Sequence, residues 1–459
     1  MRLRRKIGLL LLGAGALGGA LLVALPWREM AAERLQMMLG QALGQKVQLS
    51  LSSLGLRGSV LEHVQIGAEP PLVLAKVTLD YDPQALWDGR LHKLALSGMA
   101  LELRDSAEGW MLMGLHRADN NARQGAAKPL PYFTQAELAA VPLREGVLTD
   151  SSLSVVAPSW QAALPLTLHW RQQPAPRLDY EGQDLRVSLA LATAVAQQAS
   201  ARLTHDAAKA EWDGAWQMKD VTVQGFGGML PVMQGSGTLK ANARALTVAG
   251  TLRGPDEGWQ GRFTYHQPLT AGAGRLTVAQ AQMPWQGGRI IVRDAVAPLD
   301  GRGVMRATVE IRQVALDEVL RDATGKRASG KGTVSGVLPV QRLADGTLIV
   351  EGGHLAADAP GSIAVTPDLI PGDNPQIALL RDLLQDLRYQ VLSLGFDSGA
   401  DHKLTIKLSL EGHNPAVQNG KPVKLNINLS GDVLDVLQHN LTAFTDPRKL
   451  APTRDHEKK

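Results

Sequence analysis

The part of the sequence that comes closest to a catalytic motif is a glycine-rich loop at residues 325–333, GKRASGKGT. It nearly satisfies the phosphate-binding pattern GxxxxGK[ST], but Gly332 occupies the position where a hydroxyl group must ligate magnesium. That pattern also requires a strand before the loop and a helix after it. Here helical periodicity precedes the loop and strand-like alternation follows it, so we interpret the segment as a turn between two elements.

Titratable side chains elsewhere offer no stronger arrangement. Asp382 and Asp386 lie one turn apart on a predicted helix, but an exposed helix face is the favoured interpretation because no other polar group is aimed at them. The 11 histidines are dispersed, and His402, His413 and His439 lack the spacing of a helical metal pair. The sequence has no HExxH, CxxC or GxSxG motif. It therefore predicts no enzyme, no metal site and no cofactor.

Composition narrows the class of protein further. The chain of 459 residues is 44% hydrophobic, which is ample for a sizeable core, and its 47 glycines and 25 prolines indicate frequent turns. The 48 Lys and Arg nearly balance the 44 Asp and Glu, and aromatic residues make up only 4%. A basic stripe interleaved with aromatics is absent, so nucleic acid is not expected as a partner. Cysteine is also absent, which excludes disulfides and thiolate chemistry.

The N-terminus has the composition of a membrane anchor. Basic residues within positions 2–6 precede an uncharged stretch at 7–25, which as a helix nearly matches the ~30 Å hydrocarbon core of a bilayer. We expect residues 1–27 to form a retained single-pass anchor with a cytoplasmic N-terminus. A cleaved signal peptide is the alternative, since residues 18–20 are small. The predicted anchor residues are Ile7, Leu10, Leu17, Leu21, Leu25 and Trp27.

Residues 28–46 have the periodicity of an amphipathic helix. Met30, Leu35, Met38, Leu39 and Leu43 recur near helical spacing, with charged residues between them. An ordinary helix that caps the first strands is the favoured interpretation. A helix near the membrane surface, at the mouth of the body that follows, is the alternative.

From residue 47 onward the sequence alternates with period two, which predicts an elongated β-sheet body at 47–315. Successive side chains of a strand face opposite sides, so each strand has one aliphatic face and one polar face. Leu94 and Leu96 before Gly98, and Leu101 and Leu103 after it, follow this rule. Residues 116–136 are polar and irregular and are predicted as a hinge or exposed loop.

Residues 316–445 are predicted to form a C-terminal β domain with helices. Helical spacing predicts a two-turn helix at 316–324 ended by Gly325, and a second helix opened by Asn374 and Pro375. One face of the second helix is lined by Ile377, Leu380, Leu383, Leu384 and Leu387. A last amphipathic helix is predicted at 432–444, and a disordered tail at 446–459.

The clearest single element is a β-hairpin between residues 403 and 431. Its first strand points Leu404, Ile406, Leu408 and Leu410 one way, and its second strand repeats the rule with Val423, Leu425, Ile427 and Leu429. Polar residues such as Lys407 point the other way, and Asn419 and Gly420 mark the turn. Alternation alone does not distinguish an aliphatic face buried in a packed core from one that contacts lipid.

Three stretches together resemble one family of envelope proteins. The first is the anchor and helix followed by LGQKV at 43–47, and the second is LALSGMALEL at 94–103. The third and most specific comprises GKG at 330–332, SGVLP at 335–339, DLRY at 386–389, LSLEGHNP at 408–415 and LNINL at 425–429. This pattern resembles the YdbH group of AsmA-like proteins, related to AsmA, TamB and YhdP, whose C-terminal domain carries the older label "dicarboxylate transport".

The resemblance implies a mainly β fold, in which an elongated antiparallel β-sheet curves into a taco-like hydrophobic groove with an N-terminal transmembrane helix and a few amphipathic helices. It implies anchoring in the inner membrane, with the bulk of the chain in the periplasm, and transport of phospholipids between the inner and outer membranes. It also implies a small outer-membrane lipoprotein that adds a strand at the C-terminal edge. The older label finds no support, since one anchor cannot form a solute channel.

On this basis the groove lining is expected to include Leu94, Leu96, Leu101, Leu103, Leu404, Ile406, Leu408, Leu410, Val423, Leu425, Ile427 and Leu429. Sliding requires uniform weak contact, so no single strong binding site is expected. The second hypothesis is a membrane-anchored β-scaffold that supports outer-membrane assembly. In that case the same aliphatic faces are buried in an ordinary core.

Overall fold

The computed structural model describes residues 27–43, 45–67, 71–84, 90–106, 109–112, 143–157, 160–189, 192–225, 228–269, 273–299, 302–370, 375–399 and 403–430. These residues are mainly β, and their strands belong to a mixed, unclosed sheet. The predicted anchor stretch at 7–25, the polar loop at 116–136, the helix at 432–444 and the tail lie outside the described residues.

The chain divides into two compact units. Unit 1 comprises residues 1–223, 234–250 and 266–274, and unit 2 comprises residues 224–233, 251–265 and 275–459.

The strands before the unit boundaries are β1 (Val47–Leu54), β2 (Gly58–Ile66), β3 (Leu72–Asp80), β4 (Leu91–Ser97), β5 (Ala100–Ser106), β6 (Gly109–Leu112), β7 (Leu143–Val156), β8 (Trp160–Arg171), β9 (Arg177–Leu189) and β10 (Ala192–Asp206). The boundaries fall among β11 (Glu211–Gly225), β12 (Gly228–Met229), β13 (Met233–Ala241), β14 (Ala245–Arg253) and β15 (Gln260–Pro268). Unit 2 continues with β16 (Arg275–Trp285), β17 (Gly288–Pro298), β18 (Met305–Ala315), β19 (Ala328–Lys331), β20 (Thr333–Arg342), β21 (Leu348–Val350), β22 (Gly353–Ala357), β23 (Gly361–Val365), β24 (Leu387–Ser398), β25 (Leu404–His413) and β26 (Val423–Ser430).

The helices in the described part of the chain are α1 (Trp27–Leu43), α2 (Leu316–Thr324) and α3 (Pro375–Leu384). None of these is long and apolar enough to cross a membrane. The prediction that Leu387 lies on the apolar face of the helix opened by Pro375, which is α3, is wrong. That helix ends at Leu384, and Leu387 begins β24, where it pairs with Ile363 and is fully buried. Asp386 also follows the helix, so it does not share a helix face with Asp382.

In unit 1, β1 to β4 form one antiparallel meander and β7 to β10 form another. They are joined through β7, which runs parallel to β4 and β5: Leu96 pairs with Leu148, and Leu101 pairs with Leu153. The prediction of a purely antiparallel sheet is therefore wrong. A parallel pair needs a long connection, which residues 113–142 provide, and alternation carries no signal for strand direction.

Helix α1 packs on the first strands of unit 1. Ala32 and Leu35 are buried in one cluster with Val47 and Leu49, because their helical spacing places them on the face turned toward the sheet. The Nε2 of Gln36 donates a hydrogen bond to the carbonyl of Leu49 at 2.8 Å. This packing agrees with the interpretation that the helix caps the first strands, but Met30 of the predicted apolar stripe is 63% exposed and does not share the buried face.

In unit 2 the antiparallel pairing runs from β16 to β17, β18, β20, β22, β24, β25 and β26. The predicted hairpin of β25 and β26 is confirmed, with Leu408 opposite Ile427. Its turn includes a 3-10 segment at Gln418–Gly420. There Asn419 and Gly420 adopt φ values of 58° and 71°, a left-handed conformation that these two residue types tolerate best.

The glycine-rich loop follows α2, which ends at Gly325 with a φ of 61° and a hydrogen bond from its N–H to the carbonyl of Arg321. Residues 325–327 form a turn, but most of the stretch is strand: β19 lies within it, and β20 begins at its last residue, Thr333. A helix precedes the stretch and strands follow, so it lacks the strand–loop–helix order of a phosphate-binding loop, and the interpretation as a turn holds only for residues 325–327.

Tyr389 holds several segments of unit 2 together. It is 1% exposed, and its hydroxyl donates a hydrogen bond to the carbonyl of Lys331 at 2.9 Å. A Cβ added to Gly332 or Gly361 would lie 2.4 Å from this hydroxyl, so only glycine fits beside it.

We expect Tyr389→Phe to lower the free energy of unfolding by about 0.5–1.5 kcal/mol, because it removes the hydrogen bond to the carbonyl of Lys331. Urea unfolding of the full chain, followed by tryptophan fluorescence, measures this loss. Tyr180→Phe is the matched control, since the Tyr180 hydroxyl is buried without a partner among the described residues. Equal losses in the two variants would contradict the assigned role of the Tyr389 hydrogen bond.

Candidate functional site

The candidate site is a line of aliphatic side chains that crosses unit 2 from strand to strand. Strand pairing places each member directly opposite the next, from Met283 opposite Ile290 to Leu408 opposite Ile427. We call this set the aliphatic row: Met283, Ile290, Ile311, Gly336, Leu355, Leu394, Leu408 and Ile427. Gly336 contributes no side chain, and the Cδ2 of Leu355 lies 2.8 Å from the place that its Cβ would take. Because directly opposite residues share a face of a sheet, the row is a continuous apolar strip across the strands.

A second apolar line runs beside the aliphatic row, two residues further along each strand. In this line Val309 pairs with Leu338, and Phe396 pairs with Ile406. The backbone partner of Ile406 on β26 is Leu429. The apolar strip is therefore more than one residue wide.

The residues between these positions point to the opposite face, which is mostly polar, although Ile291, paired with Glu310 and 3% exposed, also lies on it. Lys407 pairs with Asn428, and the carboxylate of Glu310 accepts hydrogen bonds from Arg293 at 3.0 Å and Arg312 at 2.6 Å. Partial burial alone would raise the pKa of Glu310, but the hydrogen bonds and charges of the two arginines outweigh it and hold the pKa below its ordinary value. The carboxylate is therefore ionised at neutral pH, and this face stays charged.

One end of the aliphatic face is covered by helices. Leu316 and Leu320 of α2 and Leu384 of α3 belong to one cluster with Val314 and Leu410. Val314 is only 1% exposed, and Leu410 is only 2% exposed. This end of the face is therefore an ordinary packed core.

The same face is more accessible away from the helices. Leu408 and Leu425 pack against the covered cluster but are only partly buried. Phe396, Ile406 and Ile427 are also partly exposed, and within the described residues none of the three belongs to that cluster. Along this face of β25 the exposure therefore rises from Leu410, 2% exposed, to the partly exposed Leu408 and Ile406, and falls again at Leu404, which is 4% exposed.

The predicted groove residues fall into two sets. Leu94, Leu96, Leu101 and Leu103 lie in unit 1, and Leu404, Ile406, Leu408, Leu410, Val423, Leu425, Ile427 and Leu429 lie in unit 2. In unit 1, Leu96 and Leu101 pack against the core beneath α1. In unit 2, Leu404 and Leu410 are buried, and the side chain of Leu429 lies outside the described part of the structure. The lipid-lining role of these residues stays a prediction.

Sequence reasoning did not single out Ile290, Ile311, Leu355 or Leu394. Alternation marks strands near residues 289–293 and 389–396, so their strand character is visible in the sequence. What alternation does not supply is the register between strands, which decides which side chains lie opposite one another. These four residues became candidates only when the pairing was known.

Unit 1 has its own in-register apolar line, formed by Leu51, Leu61, Val77, Leu96, Leu148, Leu168, Tyr180 and Ala201. Near α1 the line is part of the packed cluster, where Leu61 is 8% exposed. Both units therefore place one aliphatic line on a single face across successive strands.

Comparison with known proteins shows that the region that carries the aliphatic row is similar to one family. Residues 256–441 match the YdbH-like family, described as "Intermembrane phospholipid transport protein YdbH". This match includes every strand of the row, and it confirms the resemblance to YdbH-like proteins that the sequence indicates. No curated protein and no solved structure matches the chain.

We expect the covered and accessible parts of the face to respond differently to truncation. Leu410→Ala should lower the free energy of unfolding by about 2–5 kcal/mol, because it leaves a cavity in a packed core. Ile406→Ala, on the same strand and the same face, should lower it by about 1 kcal/mol or less, because this side chain is only partly buried. Urea unfolding of both variants measures the difference. Similar large losses would show that the face is packed along its whole length.

Proposed function

We propose that this chain carries phospholipids between two membranes, with their acyl chains lying along the aliphatic row and the second apolar line beside it, which includes Ile406. The observation that carries the proposal is the row itself, an in-register apolar strip that continues from a packed end onto partly exposed side chains. The match to a family described by intermembrane phospholipid transport covers the same strands and supports it.

The energetics of lipid movement favour such a strip. Exposing a methylene group to water costs about 0.8 kcal/mol, so a two-chain lipid does not cross an aqueous space quickly on its own. Aliphatic side chains replace the contact with water, and similar contacts from strand to strand let the acyl chains slide. The headgroup stays in water beside the strip.

We propose further that the strands curve into a groove, and that the chain lies between the inner and outer membranes. In this arrangement residues 7–25 anchor the N-terminus in the inner membrane, and the body lies in the periplasm. The basic residues at 2–6 support that orientation. A small outer-membrane lipoprotein that adds a strand beside β26 belongs to the same proposal and rests on the family resemblance.

A membrane-anchored scaffold is the second candidate function. The observation that favours it is the covered end of the face, where Val314, Leu387 and Leu410 form a core like that of any folded domain. If the whole face were covered in the same way, the protein would support outer-membrane assembly without conducting lipid.

A photo-crosslinking side chain at Ile406 tests the proposal directly. We expect capture of phospholipid at Ile406, little or none at Lys407 on the opposite face, and mainly protein at Leu425, which packs against the covered cluster. Mass spectrometry of the crosslinked products after irradiation of intact cells identifies the partner. Capture of protein alone at Ile406 would contradict the transport proposal and favour the scaffold.

A charge on the aliphatic face should block transport without unfolding the protein. Ile406→Glu is expected to slow the transfer of a fluorescent phospholipid between donor and acceptor vesicles by about tenfold or more, because a carboxylate is costly next to acyl chains. Lys407→Glu is the matched control and should transfer lipid like the unmodified chain. Circular dichroism reports folding; loss of structure in Ile406→Glu would instead show that Ile406 belongs to a packed core.

A further inference from the structure

The aliphatic face of unit 2 carries a charged side chain that sliding along the row does not require. In the described strands β18, β20, β22, β24, β25 and β26, the residues that share this face are aliphatic, aromatic, glycine or serine, with the single exception of Arg342. Arg342 ends β20, and alternation along that strand places it on the face of Leu338. Its partners on the two neighbouring strands are Met305 and Leu348.

Arg342 lies at the edge of the face that is opposite to the helices. Near the start of β20, Val334 is 6% exposed and belongs to the cluster under α2 and α3. Further along the strand, Leu338, Val340 and Arg342 are all partly exposed. Arg342 follows Leu338 by four residues, which is roughly 13 Å at about 3.3 Å per residue. An accessible path along β20 therefore joins the second apolar line to the arginine.

The neighbouring strands differ at this edge. Val350 of β21 pairs with Val340 and is 8% exposed, and Leu404 of β25 is 4% exposed. On the other side of β20, Met305 and Ala307 of β18 are partly exposed. The access to Arg342 therefore lies over β18 and β20, and packed side chains bound it on the side of β21.

The guanidinium of Arg342 is partly buried, but it has no hydrogen-bond or ion-pair partner among the described residues. A Cβ added to Gly346 would lie 3.5 Å from its Nη2, so the group lies beside the turn that follows β20. Asp345, in the same turn, accepts a hydrogen bond from the backbone N–H of Thr347 at 2.9 Å and forms no ion pair with Arg342. The positive charge therefore has no counter-charge on the apolar face.

An arginine in this position defines the chemistry of its partner. The guanidinium only donates hydrogen bonds, it stays protonated, and its planar fork matches two oxygens of a phosphate group. Met305, Leu338 and Leu348 supply apolar surface beside it. The matching ligand is therefore an anion that is joined directly to hydrocarbon, and a phospholipid joins a phosphodiester to two acyl chains.

We propose that Arg342 binds the phosphate of a phospholipid whose acyl chains lie on Leu338 and the aliphatic face beside it. The inference rests on the proposed function, because it names the residue that holds the headgroup of the transported lipid. Helices α2 and α3 cover the other edge of the face, so the headgroup points toward Arg342. The arginine would make the strip selective for lipids that carry a phosphate, which uniform apolar contacts cannot do.

The test compares lipid binding by variants of the full chain in detergent micelles. Arg342→Gln removes the charge, and Arg342→Lys keeps the charge but loses the planar fork. Arg306→Gln is the matched control, because Arg306 is exposed, pairs with Gln341 on the same two strands and points to the opposite face. The probes are dioleoylphosphatidylglycerol, dioleoylglycerol, which lacks the phosphate, and glycerol 3-phosphate, which lacks the acyl chains.

We expect Arg342→Gln to bind dioleoylphosphatidylglycerol about tenfold more weakly, which corresponds to one lost charge-assisted hydrogen bond. Arg342→Lys should have an intermediate affinity, and the control should bind this lipid unchanged. None of the variants should change the binding of dioleoylglycerol, because this lipid has no phosphate to lose. Circular dichroism reports folding, and if Arg342→Gln does not fold, the weaker binding by Arg342→Lys carries the test alone.

Three results would overturn the inference. The first is unchanged affinity of Arg342→Gln and Arg342→Lys for dioleoylphosphatidylglycerol. The second is an equal loss of affinity for dioleoylglycerol, which would show that Arg342 only supports the fold. The third is glycerol 3-phosphate binding as tightly as the lipid and displacing it, which would assign the arginine to a soluble phosphate ester instead of a headgroup.

The outcomes separate this inference from the transport proposal. Phospholipid capture at Ile406, together with unchanged affinity in the Arg342 variants, would reject only the headgroup site. Weaker binding in those variants without any lipid capture at Ile406 would support the headgroup site and reject transport along the row of unit 2.

Discussion

One physical constraint shapes both units, namely that an apolar face of a sheet must be shielded from water. Strands that alternate with period two and pair in register place their aliphatic side chains on a single face, and that face must pack against another apolar surface. Apolar area exposed to water costs about 25 cal/mol per Å². Helix α1 covers one part of this area in unit 1, and α2 and α3 cover another in unit 2. Most of the rest of each line is only partly buried, although Leu148 in unit 1 is 7% exposed. The partly buried positions leave room for an apolar ligand to complete the packing.

The contrast within one strand shows how a single pattern serves two purposes. Leu410 and Ile406 have the same residue class, strand and face, yet Leu410 is enclosed by the cluster under the helices and Ile406 lies outside it. Enclosed positions supply the stability of the unit, and under the proposed function the partly exposed positions would contact acyl chains. The polar face behind them, held by the Glu310 ion pairs with Arg293 and Arg312, keeps the other side of the same strands hydrated.

The local structure could be predicted from the sequence, because it depends on interactions between residues that are close in the chain. The hairpin, the stop of α2 at Gly325 and the turn in the glycine-rich loop follow from alternation, glycine conformation and motif context. The parallel pairs of β7 were not predictable, because alternation does not encode strand direction. Leu387 was assigned to a helix because its spacing fits one, but pairing with Ile363 places it in a strand. The aliphatic row and the position of Arg342 between Met305 and Leu348 depend on the register between strands, which only the fold reveals.

The central claim is that lipid occupies the accessible apolar surface, and native mass spectrometry tests it most directly. The full chain should be released from membranes in a lipid-preserving polymer and measured intact. The account predicts that at least one phospholipid remains bound to each folded chain, and that Leu394→Glu, within the aliphatic row, removes it. A folded chain that carries no phospholipid, or one whose bound lipid is unaffected by Leu394→Glu, would contradict the claim.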